Sequence, residues 1–155
     1  MTPVKAITLA VALAIPAFAA AQSAEEVAEA ALEGRHGFMT MLGINMGQLS
    51  GMAKGEIAYD AAMASRAAAN IVALAQYDAP ALFIPGTSSE DTDDSEALPA
   101  IWENPDDFRA KFAAMGEAAA GSPDAVGGGQ ESLGPVVQKL GGACKACHDD
   151  YRKAD

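Results

Sequence analysis

The chain has 155 residues, half of them apolar, and its 21 acidic residues against 10 basic ones give a net charge of −11. Such a charge repels nucleic acid and anionic lipid surfaces, and suits a basic partner or plain colloidal stability. No strand-like alternation is present, and alanine, leucine and methionine recur at helical spacing, so the composition excludes a β architecture and points to a single all-α domain.

The N-terminus reads as a secretory leader. Lys5 supplies a short basic region, Ala6 to Ala17 is an almost unbroken apolar run too short to span a bilayer, and Ala19-Ala20-Ala21 offers small residues for cleavage. The simplest cut falls before Gln22, giving a leader of residues 1–21 and a mature domain of residues 22–155; a cut before Ala20 is also allowed. An uncleaved anchor is the weaker alternative, because no stop-transfer pattern follows. The leader holds one basic residue and no acidic one, so the mature chain carries −12 rather than −11. Export to the periplasm of a Gram-negative cell is the expected destination, with no membrane attachment after cleavage.

Four helices follow. Ser23-x-x-Glu26 makes a capping box, and Glu25 and Glu26 suit the positive end of the dipole. Val27, Ala31, Phe38, Leu42, Leu49 and Met52 then give a buried stripe. Gly34, Gly37, Gly43, Gly47 and Gly51 interrupt this helix, each at a cost of about 0.5–1 kcal/mol relative to alanine. Close approach of another helix or of a flat cofactor would offset that cost; a break near Gly51 is the alternative. Lys54-Gly55 marks a turn. The second helix is expected from about Tyr59 to Ala75, alanine-rich and therefore able to pack closely.

Regular patterning stops from Tyr77 to about Glu103, where Pro80, Pro85-Gly86 and Pro99 punctuate the chain. The acidic run Glu90 to Glu96 lacks the glycine and terminal glutamate of an EF-hand and reads as a solvated loop. A connection this long suggests a wrapping or site-forming role. Leu82-Phe83-Ile84 and Ile101-Trp102 are expected to pin its ends. The third helix opens with Asn104 as N-cap and Pro105 in the first turn, buries Phe108, Phe112 and Met115, and ends at Gly121. Gly127-Gly128-Gly129 reads as a flexible linker; it lacks the preceding strand and following Lys-Ser/Thr of a phosphate loop. The last helix runs from near Ser132 to about Arg152, with Leu133, Val136, Val137, Leu140, Cys144, Cys147 and Tyr151 at helical spacing. Four helices joined by two short connections and one long one describe an antiparallel four-helix bundle with one long connecting loop.

Cys144-Lys145-Ala146-Cys147-His148 lies in that last helix and uses both cysteines of the chain. Cys-x-x-Cys-His is the attachment signature of c-type haem: two thiols one turn apart reach the two vinyl groups, and the next residue offers an imidazole to the iron. A disulfide or half of a zinc site is the alternative. Zinc needs about four ligands, and His36 is the only other histidine. On the opposite side of the iron, His36 and the methionines are candidates by chemistry, with Met39 and Met46 placed mid-helix among the glycines. A second ligand would make a saturated electron carrier; a vacant position would admit NO or CO. No distal acid–base pair supports a peroxidase, so no catalysed conversion is expected.

The chain resembles cytochrome c′, the four-helix class of c-type cytochromes. The resemblance rests on Gly141-Gly142-Ala143-Cys144-Lys145-Ala146-Cys147-His148-Asp149-Asp150-Tyr151-Arg152, on Arg35 four residues before Met39, and on Lys54-Gly55-Glu56 with Tyr59-Asp60-Ala61-Ala62. It extends to Leu82-Phe83 with Pro85-Gly86-Thr87 and to Ala100-Ile101-Trp102. It implies one haem c per chain, with Cys144 and Cys147 as thioether attachments and His148 as proximal ligand. It further implies Arg152 beside that imidazole, Arg35 near the haem propionates, Asp91 near the haem edge, and Met39 at the distal position. There Met39 either packs over a five-coordinate iron or binds it, as a first-helix methionine does in low-spin relatives of the cytochrome c556 type. His36 departs from the glutamine or acid usual at its place. One-electron transfer to a redox partner that the sequence does not name, gas binding, and homodimers through the first two helices complete the expectation.

Overall fold

The computed structural model describes residues 23–154, so the expected leader of residues 1–21 lies outside the described residues. Four long helices dominate: α1 (Ala24–Lys54), α2 (Ala61–Ala75), α4 (Pro105–Ala119) and α6 (Leu133–Tyr151). Two single turns, α3 (Ala100–Glu103) and α5 (Ser122–Ala125), and three 3-10 turns lie in the connections. α1 packs against α2 and α6, and α4 packs against the same two, so α1 and α4 stand diagonally in a four-helix bundle. Among the described residues there is one isolated β-bridge, Ala97 with Arg152, and no helix long and apolar enough to cross a membrane.

Local chemistry sets the helix ends. The Ser23 hydroxyl accepts from the Glu26 N–H while the Glu26 carboxylate accepts from the Ser23 N–H, the reciprocal pair that the sequence announces. α1 does not break at Gly51; it continues to Lys54 and closes on Gly55 at φ 75°, a left-handed cap that glycine adopts without strain. α2 begins at Ala61, two residues after the expected Tyr59, and Asp60 caps it, accepting from the Met63 N–H. Asn104 precedes α4, but its side chain makes no cap and instead donates to the Ala100 carbonyl. α6 stops at Tyr151, and Arg152 is extended because the bridge to Ala97 captures it.

The interior has two parts. Leu49, Met52, Ile71, Val126, Leu133 and Leu140 are sealed in the larger cluster, where alanines 64, 67 and 68 of α2 let α1 approach closely. Ala97, Ile101, Phe108 and Tyr151 form a smaller cluster at the other end, with Phe83, Phe112 and Cys147 against it. Of the expected α1 stripe, Val27 is exposed, and the buried positions include Arg35 and Asn45. Gly51 is closely approached, since a Cβ there would lie 2.7 Å from Ile57 Cδ1, whereas Gly37, Gly43 and Gly47 meet nothing within 4 Å. Gly51 is thus crowded by the α1–α2 turn rather than by another helix, and of these glycines only Gly43 lines the cavity described below. The glycine triplet is no slack linker: the Tyr59 hydroxyl donates to the Val126 carbonyl and accepts from the Gly129 N–H, holding two 3-10 turns in place.

The long connection is anchored as expected. Phe83 meets Phe108 edge-on at 4.7 Å between centroids, and the Trp102 indole N–H donates to the Phe83 carbonyl at 3.0 Å. Ile101 is buried at the far end.

Candidate functional site

Two chambers open between α1, α4, α6 and the long connection. The larger, of about 610 Å³, is bounded by Arg35, His36 and Thr40 of α1, by Glu96 and Ile101 from the connecting segment, and by Arg152. The smaller, of about 280 Å³, is bounded by Leu42, Gly43 and Met46 of α1, Lys111 and Met115 of α4, and Cys144. Met39, Phe112, Cys147 and His148 line both. Helical spacing explains the convergence: positions 35, 39, 42 and 46 share one face of α1, and 144, 147, 148 and 151 one face of α6.

On the α6 wall, Cys144 and Cys147 are free thiols, half-buried. Burial raises the Cys144 thiol and pushes Cys147 up to about 11, with Lys111 opposing the shift at Cys147. Among the described residues no group of three or more His, Cys, Asp or Glu is placed to hold a metal ion. Burial, and then the Arg152 charge, hold the His148 imidazole below its usual range, leaving a neutral ring nitrogen available to a metal.

On the α1 wall, Arg35 is 4% exposed. Its Nη1 donates to Thr87 Oγ1 at 3.1 Å, its Nη2 to the Thr87 carbonyl and to Ser95 Oγ at 3.0 Å each, and its guanidinium lies 4.8 Å from the Phe83 ring centroid. No carboxylate among the described residues pairs with it. Burial accordingly pulls its pKa down, although an arginine remains charged. A buried cation without a counter-charge is costly, and an anionic group entering the adjoining chamber would supply one. His36 and Met39 are exposed into the cavity rather than locked in the core.

These features fit a covalently held haem. They are two thiols one turn apart, a neutral imidazole beside them, a wall of Phe83, Phe108 and Phe112, and a buried guanidinium in need of the negative charge that haem propionates carry. A volume near 600 Å³ lies within the about 300–1,000 Å³ of typical cofactor pockets.

The structure brings Arg35, His36, Met39, Cys144, Cys147, His148 and Arg152 to this one cavity. Asp91 is not among its lining residues. Its carboxylate accepts from the Ser88 N–H and hydroxyl, which holds its pKa low and staples the loop; Asp93, Asp94 and Glu96 stand at the cavity instead. Arg152 Nε donates to Glu96 Oε2 at 2.6 Å. Sequence reasoning did not single out Thr87 and Ser95 as partners of Arg35, nor Glu96 as partner of Arg152. These pairs are 52, 60 and 56 residues apart, and only the opposite charges of Glu96 and Arg152 hint at any of them.

Comparison with known proteins places this arrangement. The family described as Cytochrome C' matches residues 30–152. Cytochrome c-554 of Cereibacter sphaeroides is 47% identical over 156 residues, covering all of both chains. The solved cytochrome c' from Rhodobacter Spheriodes superposes with a TM-score of 0.78 at 44% identity, over 83% of this chain and 98% of that one. A nitric oxide complex of a mutant cytochrome c prime from Alcaligenes xylosoxidans superposes with a TM-score of 0.70 at 29% identity, over 83% and 97%. Family, fold and cavity agree: the chain belongs to the cytochrome c′ family of proteins that carry a covalently attached c-type haem.

Proposed function

We propose that this is a periplasmic, single-haem cytochrome with a five-coordinate iron, which takes up NO or CO and passes single electrons without catalysing a conversion of its own. Cys144 and Cys147 would hold the haem by thioether bonds, and His148 would offer its imidazole to the iron. The observation that carries the reading is the position of Met39. It is the residue of α1 that lines both chambers together with Cys147 and His148, so its side chain and the imidazole border the same haem-sized space.

When bound, the haem supplies an iron centre that exchanges one electron and can accept a diatomic ligand. The protein does the rest. Arg35 offers positive charge to the propionates. Phe83, Phe108 and Phe112 exclude water from one side. Met39 would shield the iron on the α1 side, and Gly43, one turn further along α1, leaves space beside it. Arg152 brings positive charge to the His148 side. The relative solved with nitric oxide supports the gas-binding part of the reading. The exposed Met41 and Ile44 on α1, with the exposed Tyr77 just past the end of α2, support a homodimer through that side of the bundle. The leader supports export.

The same position of Met39 also favours a second reading, in which its sulfur is the sixth ligand of a low-spin electron carrier. Titrating the ferrous protein with CO separates the two. The five-coordinate reading expects a high-spin spectrum converted stoichiometrically to a CO adduct. A low-spin spectrum indifferent to CO overturns it, and conversion of that spectrum to high spin by Met39→Ala establishes the second. A low-spin spectrum that survives Met39→Ala points to His36 or Met46 instead.

A further inference from the structure

The long connection grips both walls of the cavity through consecutive residues. Ser95 Oγ accepts from Arg35 Nη2 and from the Ala97 N–H, and donates to the Thr87 carbonyl, so α1 holds it with every hydrogen-bonding capacity used. The next residue, Glu96, is held by the end of α6. Its carboxylate accepts from Arg152 Nε at 2.6 Å, and its carbonyl accepts from the Lys153 N–H at 2.8 Å. The Leu98 N–H to Tyr151 carbonyl bond, and the bridge between Ala97 and Arg152, complete a short antiparallel seam.

Two independent restraints therefore fix Glu96. Its backbone cannot slide along α6 without breaking the seam, and cannot move outward without pulling Ser95 off Arg35. The Arg152 guanidinium is fixed in turn, because Nε is engaged while its backbone N–H is tied to the His148 carbonyl at 3.1 Å. Glu96, His148 and Arg152 line the same chamber. We infer that Glu96 is a positioning residue of the haem site: it sets where the Arg152 charge lies relative to His148, and so tunes the proximal side of the iron. The inference rests on the haem reading above, with His148 as proximal ligand.

An exposed ion pair of this kind contributes only about 0–1 kcal/mol to stability, so the effect belongs in the properties of the site rather than in folding. A double-mutant cycle of Glu96→Gln, Arg152→Gln and the pair, made in the haem-loaded protein, isolates it. The readouts are the one-electron reduction potential, the NO affinity and the spectrum of the NO adduct, the thermal midpoint, and amide exchange at Leu98 and Lys153. If Glu96 acts through Arg152, each single variant alters the potential and the NO-adduct spectrum. The pair then matches Arg152→Gln alone, with the coupling in NO affinity at least about twofold and with amide protection unchanged. Additive effects would show an independent surface charge and overturn the inference. So would a wild-type phenotype for Glu96→Gln, or a change accompanied by lost protection at Leu98 and Lys153, which would trace it to a loosened seam. Failure of the haem reading is separately visible, since wild-type protein would then show no haem spectrum at all.

Discussion

The two ends of the bundle are built on different terms. Around Leu49, Ile71, Leu133 and Leu140 the helices meet through complementary aliphatic surfaces that water does not reach. Around Cys147 and His148 the helices stay apart. The gap is bounded by aromatic rings and bridged by a loop that Arg35 and Arg152 hold from opposite sides. The first end is stable by itself because its apolar area is buried by its own residues. The second leaves half-buried thiols, an imidazole and a buried cation with no carboxylate partner among the described residues facing a cavity, a set of groups that a large, partly anionic cofactor satisfies together.

Substitutions should separate these ends cleanly. The largest effect is expected from His148→Ala. It should leave the haem attached to its cysteines while abolishing the wild-type absorption spectrum and CO response, with the sealed end still folded by circular dichroism. Leu140→Ala should do the reverse. Deleting a side chain that is 1% exposed should cost about 2–5 kcal/mol in denaturant unfolding and leave the haem spectrum of the folded fraction unchanged. Arg35→Ala lies between the two. Unpairing Thr87 and Ser95 in a buried node should cost about 1–3 kcal/mol, and proteolysis should cut the released connection between residues 84 and 98.

How much of this was legible beforehand follows the same division. The Ser23 capping box, the Gly55 stop and the apolar stripe through Phe38, Leu42, Leu49 and Met52 are local or periodic signals, and each stands in the structure. Cys144 to His148 is a contiguous motif and needs no fold to be read. The connection is different. The sequence marked it as site-forming and resemblance placed Asp91 at the haem edge, but Asp91 caps Ser88 while Glu96 faces the cavity. Nothing local distinguishes one acid of the run from another; the choice is made by Arg35 and Arg152, which are remote in sequence. The glycines of α1 divide likewise: Gly51 touches Ile57, Gly43 faces the cavity, and Gly47 meets nothing.

Two smaller effects sharpen the contrast. The Tyr151 hydroxyl donates to Asp107 Oδ2 at 2.6 Å, and this bond pushes the phenol from its usual value near 10.0 up to about 12. The folded state thus retains the proton more tightly than the unfolded chain. The stabilisation is full below pH 10.0 and is lost as pH rises towards about 12. Tyr151→Phe should flatten the pH dependence of unfolding across that window. The smallest change is a gain. Gly47→Ala, on an open face of α1 with no atom within 4 Å of the new Cβ, should stabilise the protein by about 0.5–1 kcal/mol. Its haem spectrum should remain that of the wild type, whereas Gly43→Ala, at the cavity, should perturb it.

The most direct test of the central claim is the intact mass of the exported protein under denaturing conditions. A chain beginning at Gln22 that keeps one haem after unfolding is expected, with the haem recovered on the peptide containing Cys144 and Cys147. A chain of polypeptide mass alone, or one whose two cysteines are joined to each other, would contradict it.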